Sequence, residues 1–193
     1  MFKKIISLVI CLSFLEGCVE TVVVGTVATG AVVLSDGNVF DLSQDGRIEK
    51  SIRKSFKNED DMENYKNINV IVYNGKVILT GYVNDSTYKV KAVQKARGTK
   101  PGIEVVDEIT IFAPTYKINS VSDSFISSQI SLKLKTTKGI KSGNYKYDVV
   151  DGIVFIIGKA ESKKEMQKTT DLISRIKGVK KVISYIAVAN NSN

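Results

Sequence analysis

The chain has 193 residues, room for one ordinary domain or two small ones. Its hydrophobic content of 43% and charged content of 25% are those of a folded protein. It contains no His and no Trp, which removes the commonest general base and the usual imidazole metal ligand, and its net charge of +8 speaks to partners, not to fold.

The first element is an export signal. Lys3 and Lys4 form a positive start, and Ile5 to Leu15 is an apolar run broken only by Ser7 and Ser13. A membrane span needs about 20 apolar residues; this run suits the core of a signal peptide. It ends in Leu15-Glu16-Gly17-Cys18, which resembles the bacterial lipobox. There the Cys is acylated on its thiol and the chain is cut in front of it. Glu16 departs from the small or apolar residue usual at that place. The resemblance implies a signal peptide over 1–17 and a lipid on Cys18. Cys11 then leaves with the signal, and the remaining charge is +7 after two lysines and one glutamate are lost. Val19, where the enterobacterial sorting rule places Asp for inner-membrane retention, implies the outer membrane. The alternative is a plain N-terminal anchor helix with an incidental Cys. Residues 18–44 read as a lipidated segment and linker. Its valine-rich part is short for a span, and Gly25 and Gly30 weaken it as a helix. Strand, membrane-surface contact and packing on the rest of the chain all remain open for it.

Beyond residue 44 the chain repeats itself. "INVIVYNGKVILTGYV" (68–83) aligns with "YKYDVVDGIVFIIGKA" (145–160), Gly75 with Gly152 and Gly81 with Gly158, at an offset of 77. Upstream, Ile48, Ile52 and Phe56 match Ile126, Ile130 and Leu134 at an offset of 78. Each copy opens with that i, i+4, i+8 stripe, which predicts a helix. Two β-rich runs follow, joined by Asn74-Gly75 or Asp151-Gly152, the dipeptides of a type I′ hairpin turn. A second helix is expected at about 85–98 and 161–177, ended by Gly98 and Gly178, with Met166, Thr169, Ile173 and Ile176 on its buried face in the second copy. A last strand is expected at about 103–112 and 180–189. The fold class is α+β: two tandem αββαβ modules, 45–113 and 120–189, each a three-stranded mixed sheet with two helices on one face, and a tail at 190–193.

This order, with "NVIVYNGKVILTGYV" and "YDVVDGIVFIIGKA" each followed by a helix and a G-[IV]-x-x-V strand, resembles the BON domain. Two such domains behind a lipobox, with "VVGTVATG" soon after it, resemble the dual-BON outer-membrane lipoproteins. The resemblance implies a lipid-anchored protein with its modules in the periplasm, serving outer-membrane integrity at sites of cell division. Glycines and aliphatics carry it, so it speaks to fold more than to function.

No catalytic constellation stands out, and no pattern asks for a metal or cofactor. The carboxylates of "NEDDMEN" (58–64) read as a solvated loop, and "GTKPG" and "KGIKSG" open no predicted helix that could cradle a phosphate. Charge is more telling. Residues 45–112 hold 12 basic and 10 acidic side chains, residues 120–193 hold 13 and 6. A polyanion partner is expected for the second module. An exported protein does not meet nucleic acid, and the G-x-x-G loop of KH-type RNA modules is missing. Anionic phospholipid is the expected partner. Val121, Phe125 and Leu132 form a second apolar stripe on the first helix of this module, rotated by roughly 140° from the core stripe. At offset 78 the first module has Ser43, Arg47 and Lys54, so the shared fold does not need apolar residues there. With Lys135 beside them, and Lys164, Lys168 and Arg175 on one face of the second helix, they are the candidate phospholipid-binding residues. Packing of Phe125 and Leu132 against the first module is the alternative. A different class of function is a periplasmic adaptor that binds envelope proteins at its sheet edges.

Overall fold

The computed structural model describes residues 44–57 and 62–189, and the backbone alone at 31–33 and 39–41. The predicted signal peptide (1–17), Cys18, most of the 18–44 segment and the 190–193 tail lie outside the described residues. Strands β1 (Ala31–Val33) and β2 (Val39–Asp41) form an antiparallel pair ahead of the first module.

The first module runs α1 (Gln44–Lys57), α2 (Met62–Tyr65), β3 (Ile68–Tyr73), β4 (Lys76–Val83), α3 (Ser86–Gly98), β5 (Glu104–Asp107) and β6 (Thr110–Ile111). The second runs α4 (Ser120–Thr136), β7 (Tyr145–Val150), β8 (Ile153–Ala160), α5 (Lys163–Ser174) and β9 (Lys181–Val188). In both, an antiparallel hairpin is followed by a helical crossover to a parallel strand, which makes the sheets mixed as expected. Period-two alternation sends Ile68, Val70 and Val72 to the helix side and Ile71 and Tyr73 to the other. The stripes Ile48/Ile52/Phe56 and Ile126/Ile130/Leu134 close the two cores.

Both hairpin turns have φ > 0 at their two central residues: Asn74 and Gly75, Asp151 and Gly152. The turn is gripped from outside the hairpin. Asp45, in the first turn of α1, accepts from the N–H groups of Asn74 (2.6 Å) and Gly75 (2.8 Å). Asp123, in the first turn of α4, accepts from those of Asp151 and Gly152, both at 2.8 Å. A tight turn aims adjacent N–H groups outward, and one carboxylate satisfies both. Gly81 and Gly158 serve a second shared need. A Cβ on Gly81 would meet the Asn67 carbonyl oxygen at 1.9 Å, and one on Gly158 the Asn144 oxygen at 2.2 Å.

Four details depart from the sequence expectation. The last strand of the first module is not continuous over 103–112: Asp107 Oδ1 accepts from the N–H of Ile109 at 3.0 Å, and that turn splits it into β5 and β6, both paired to β4. Helix α5 stops at Ser174, where the chain tightens into a turn with the N–H of Ile176 on the Ile173 carbonyl, and Gly178 follows at φ +96°. Ile176 is buried beyond the helix. Part of the 58–64 run, Met62 to Asn64, lies in the one-turn helix α2 instead of a loop.

The modules meet through the sheet faces that carry no helices. Ile71, Ile78 and Ile157 form an apolar cluster there, with Tyr73, Val106 and Tyr185 against it. Polar ties surround it. Asp148 Oδ2 accepts from Asn69 Nδ2 (3.0 Å) and Thr80 Oγ1 (2.5 Å), and Lys146 Nζ donates to the Val72 carbonyl at 2.8 Å. The Tyr185 hydroxyl donates to Glu108; burial and that carboxylate push its pKa up to about 12, so it remains a donor. The linker is pinned as well: Phe112 stacks on Tyr116 at 4.4 Å, and the Tyr116 hydroxyl donates to Asp151.

In the second module Ser162 caps α5, and Glu165 folds back into the core edge, accepting from the N–H groups of Lys141 and Glu161, both at 2.8 Å. Burial alone would raise the Glu165 pKa, but these hydrogen bonds outweigh it and leave the carboxyl below its usual value.

Two outcomes follow for stability. Replacing Asp123 by Ala strands two N–H groups, one of them buried, and lowers the stability of the chain in urea titration by about 2–3 kcal/mol; Asp45→Ala, at a more exposed turn, costs less. A carboxyl with a depressed folded pKa stabilises above its unfolded value, about 4.3, and loses that contribution as pH falls through the folded value. Thermal melts from pH 7 to pH 3 therefore show an acid-side loss, and Glu165→Gln flattens that part of the profile.

Candidate functional site

Helix α4 carries apolar residues on two faces. Ile126, Ile130 and Leu134 enter the core, while Phe125 and Leu132 are 55% and 56% exposed and Val121 is 80% exposed. The alternative in which Phe125 and Leu132 pack on the first module does not hold. The first module borders α4 at the face of Ser120, Ser124 and Ser127, across a concavity at the module junction, whereas Phe125 and Leu132 stand on another face of the helix and are exposed. Asn119 caps α4, accepting from the N–H of Ser122 at 3.1 Å, which holds the helix start in place. The first module presents Arg47 and Lys54 at the positions of Phe125 and Leu132, both exposed; its Ser43 lies outside the residues whose side chains are described.

The predicted basic residues divide. Lys164, Lys168 and Arg175 line one groove of about 630 Å³ between α4 and α5, with Leu172 half-buried beside them. Lys135 is exposed on the far flank of α4 and does not line it. Sequence reasoning missed Lys133, which enters the groove from α4. Between Leu132 and Leu134 it belongs to no stripe, and only the packing of α4 beside α5 brings it near Lys164.

The arrangement offers positive charge beside an exposed apolar ridge. Burying a large apolar side chain is worth about 1.5–3 kcal/mol, and a basic residue near an anionic surface about 1 kcal/mol. A second concavity of about 550 Å³, at the module junction, is lined by Asn67, Asn69, Tyr82, Ser127 and Asp148. Its carboxylate already couples the modules. Among the described residues no cluster of three His, Cys, Asp or Glu side chains could hold a metal ion, and no helix is long and apolar enough to cross a membrane.

Comparison with known proteins agrees with this architecture. An uncharacterized protein in the gshII 5′ region of Anaplasma centrale is 37% identical over 128 residues, covering 66% of this chain and 85% of that one. Outer membrane lipoprotein DolP of Haemophilus influenzae is 28% identical over 182 residues, 94% of this chain and 93% of that one. A 21 kDa hemolysin of Actinobacillus pleuropneumoniae is 28% identical over 155 residues, 80% and 72%. The BON domain family model matches residues 44–112 and again 122–190. With both modules matched, and the repeat, the mixed sheets and the one-sided helices in place, the chain belongs to the BON-domain family and carries two BON domains in tandem.

Proposed function

We propose that this chain is a non-enzymatic outer-membrane lipoprotein, anchored through Cys18, whose second BON module binds anionic phospholipid and which supports outer-membrane integrity at division sites. The lipobox-like Leu15-Glu16-Gly17-Cys18 and the similarity over nearly the whole chain to Outer membrane lipoprotein DolP support the anchor and its location. The observation that carries the lipid reading is the exposed ridge of Val121, Phe125 and Leu132 on the basic module, where the other module has the cations Arg47 and Lys54 at the places of Phe125 and Leu132. Lys135 on one flank and Lys164, Lys168 and Arg175 on the other supply the attraction to anionic headgroups. An acyl anchor raises the effective concentration of this surface at the membrane, so the ridge sets orientation and lipid choice more than attachment.

A second reading, an adaptor for envelope proteins, is favoured by strand β9. Its eight residues pair with β8 on one side and with no other described strand, whereas the matching strand of the first module is broken in two. An uninterrupted edge can accept a partner strand.

The two readings separate by experiment. In vesicle sedimentation, binding requires phosphatidylglycerol, falls with added salt, and drops about tenfold or more in Phe125→Glu. Sedimentation that ignores anionic lipid or this substitution sinks the lipid reading. Under the adaptor reading, in-cell crosslinking from Ala187, exposed on β9, captures one stoichiometric protein, and Phe125→Glu does not change the yield.

A further inference from the structure

The concavity at the module junction has a chemistry unlike that of the basic surface. The first module gives it Asn67, Asn69 and Tyr82, and the second gives it Ser124, Ser127 and Asp148, over an apolar floor of Val149 and Val150. Its volume, about 550 Å³, is that of a small-molecule site. Free charge is scarce in it. The one cation lining it, Lys66, is ion-paired with Glu63, and the Asp123 carboxylate is taken by the hairpin turn. What remains is amides, hydroxyls, one carboxylate and one aromatic ring.

The fold fixes these groups. Ser120, Ser124 and Ser127 recur at i, i+4 and i+7, so they share one face of α4. Asp148 receives Asn69 Nδ2 and Thr80 Oγ1 on the same oxygen, Oδ2, at 3.0 and 2.5 Å. Its Oδ1 accepts no hydrogen bond among the described residues and is left to accept from a ligand. Tyr82 is half-buried, its N–H on the Asn67 carbonyl at 3.1 Å and its ring centroid 5.8 Å from that of Phe112.

The tandem duplicate shows that the packing does not force the hollow to stay open. At an offset of 77, Tyr82 and Val150 correspond to Lys159 and Tyr73. At that matching place the Tyr73 side chain reaches the backbone of Lys159. A tyrosine therefore occupies on one side of the junction the space that Val150 leaves on the other.

We propose that the junction concavity is a binding site for an uncharged saccharide of one or two pyranose rings. Each sugar hydroxyl donates and accepts; side-chain amides and serine hydroxyls answer both, and a carboxylate oxygen takes the donor. The Tyr82 ring offers an apolar surface to the C–H face of a pyranose. A phosphate or carboxylate ligand would meet Asp148 with the one lining cation already paired. An apolar ligand would bury the amides and the carboxylate without partners. The site is independent of the lipid reading, because it lies on the serine face of α4 and not on that of Phe125 and Leu132.

The test uses the chain from residue 18 onward, carrying Cys18→Ser so that no acyl group is attached. Cellobiose and N,N′-diacetylchitobiose are titrated separately and followed by amide NMR. At least one is expected to saturate at one ligand per chain, with shifts centred on Asn69, Tyr82 and Ser124. Val150→Tyr, which copies the duplicate, weakens that binding about tenfold or more. Tyr82→Ala weakens it about fivefold (~1 kcal/mol). Should Val150→Tyr lose the dispersed spectrum of a folded chain, Ser124→Tyr fills the hollow from the exposed side of α4 and is held to the same tenfold loss. Failure of both disaccharides to saturate, or unchanged affinity in Tyr82→Ala and in the filling variant, overturns the site. An equal response to trialanine, which brings amides but no sugar, overturns the saccharide assignment. Phe125→Glu leaves saccharide binding unchanged, so failure of this site and failure of the lipid reading are told apart by vesicle sedimentation of the same proteins.

Discussion

Each module is organised by a carboxylate that holds a turn. Asp45 and Asp123 sit in the first turn of a helix, and each takes the two N–H groups of the hairpin turn that follows. One short contact thereby fixes the helix against the end of the sheet. Once α1 or α4 is placed this way, its apolar stripe can face only one side of the hairpin. The crossover helix must then join it on that side, because the parallel return strand brings the chain back there. The other sheet face is left free, and on that face the two modules meet.

That free face shapes the molecule. Sheet packs on sheet through Ile71, Ile78 and Ile157, with Asp148 bridging from one module to Asn69 and Thr80 of the other. Breaking such a bridge would leave a partly buried carboxylate short of donors, so the pair is held to one arrangement. The same packing leaves only the Ser120, Ser124 and Ser127 face of α4 beside the first module and keeps Phe125 and Leu132 in water. The surface that differs most between the copies, apolar and basic in one and charged in the other, is the surface the packing leaves open.

Much of this was legible in the sequence. The offset of 77 between Gly75 and Gly152, and between Gly81 and Gly158, marked the hairpins because a type I′ turn needs φ > 0 and because a crossing carbonyl leaves no room for a Cβ. The stripes Ile48/Ile52/Phe56 and Ile126/Ile130/Leu134 marked the core by period alone. Asp45 and Asp123 also repeat, at offset 78, but an acid in a first helical turn reads as a response to the helix dipole, and nothing local shows that it reaches a turn 28 to 30 residues away. The break between β5 and β6 was missed because it comes from one side-chain hydrogen bond of Asp107 inside a β-rich run.

By itself the sequence determined what short-range physics encodes: two copies of one α+β module, their element order, their turns and core stripes, and the concentration of positive charge in the second copy. Periodicity, backbone sterics and composition act over a few residues and can be read along the chain. Only the tertiary structure decided which surfaces stay in water. Phe125 and Leu132 are exposed because α4 turns its Ser120, Ser124 and Ser127 face, not theirs, to the module junction. Lys133 meets Lys164 and Arg175 because α4 packs beside α5. Both facts depend on contacts between residues far apart in sequence, and no local pattern encodes them.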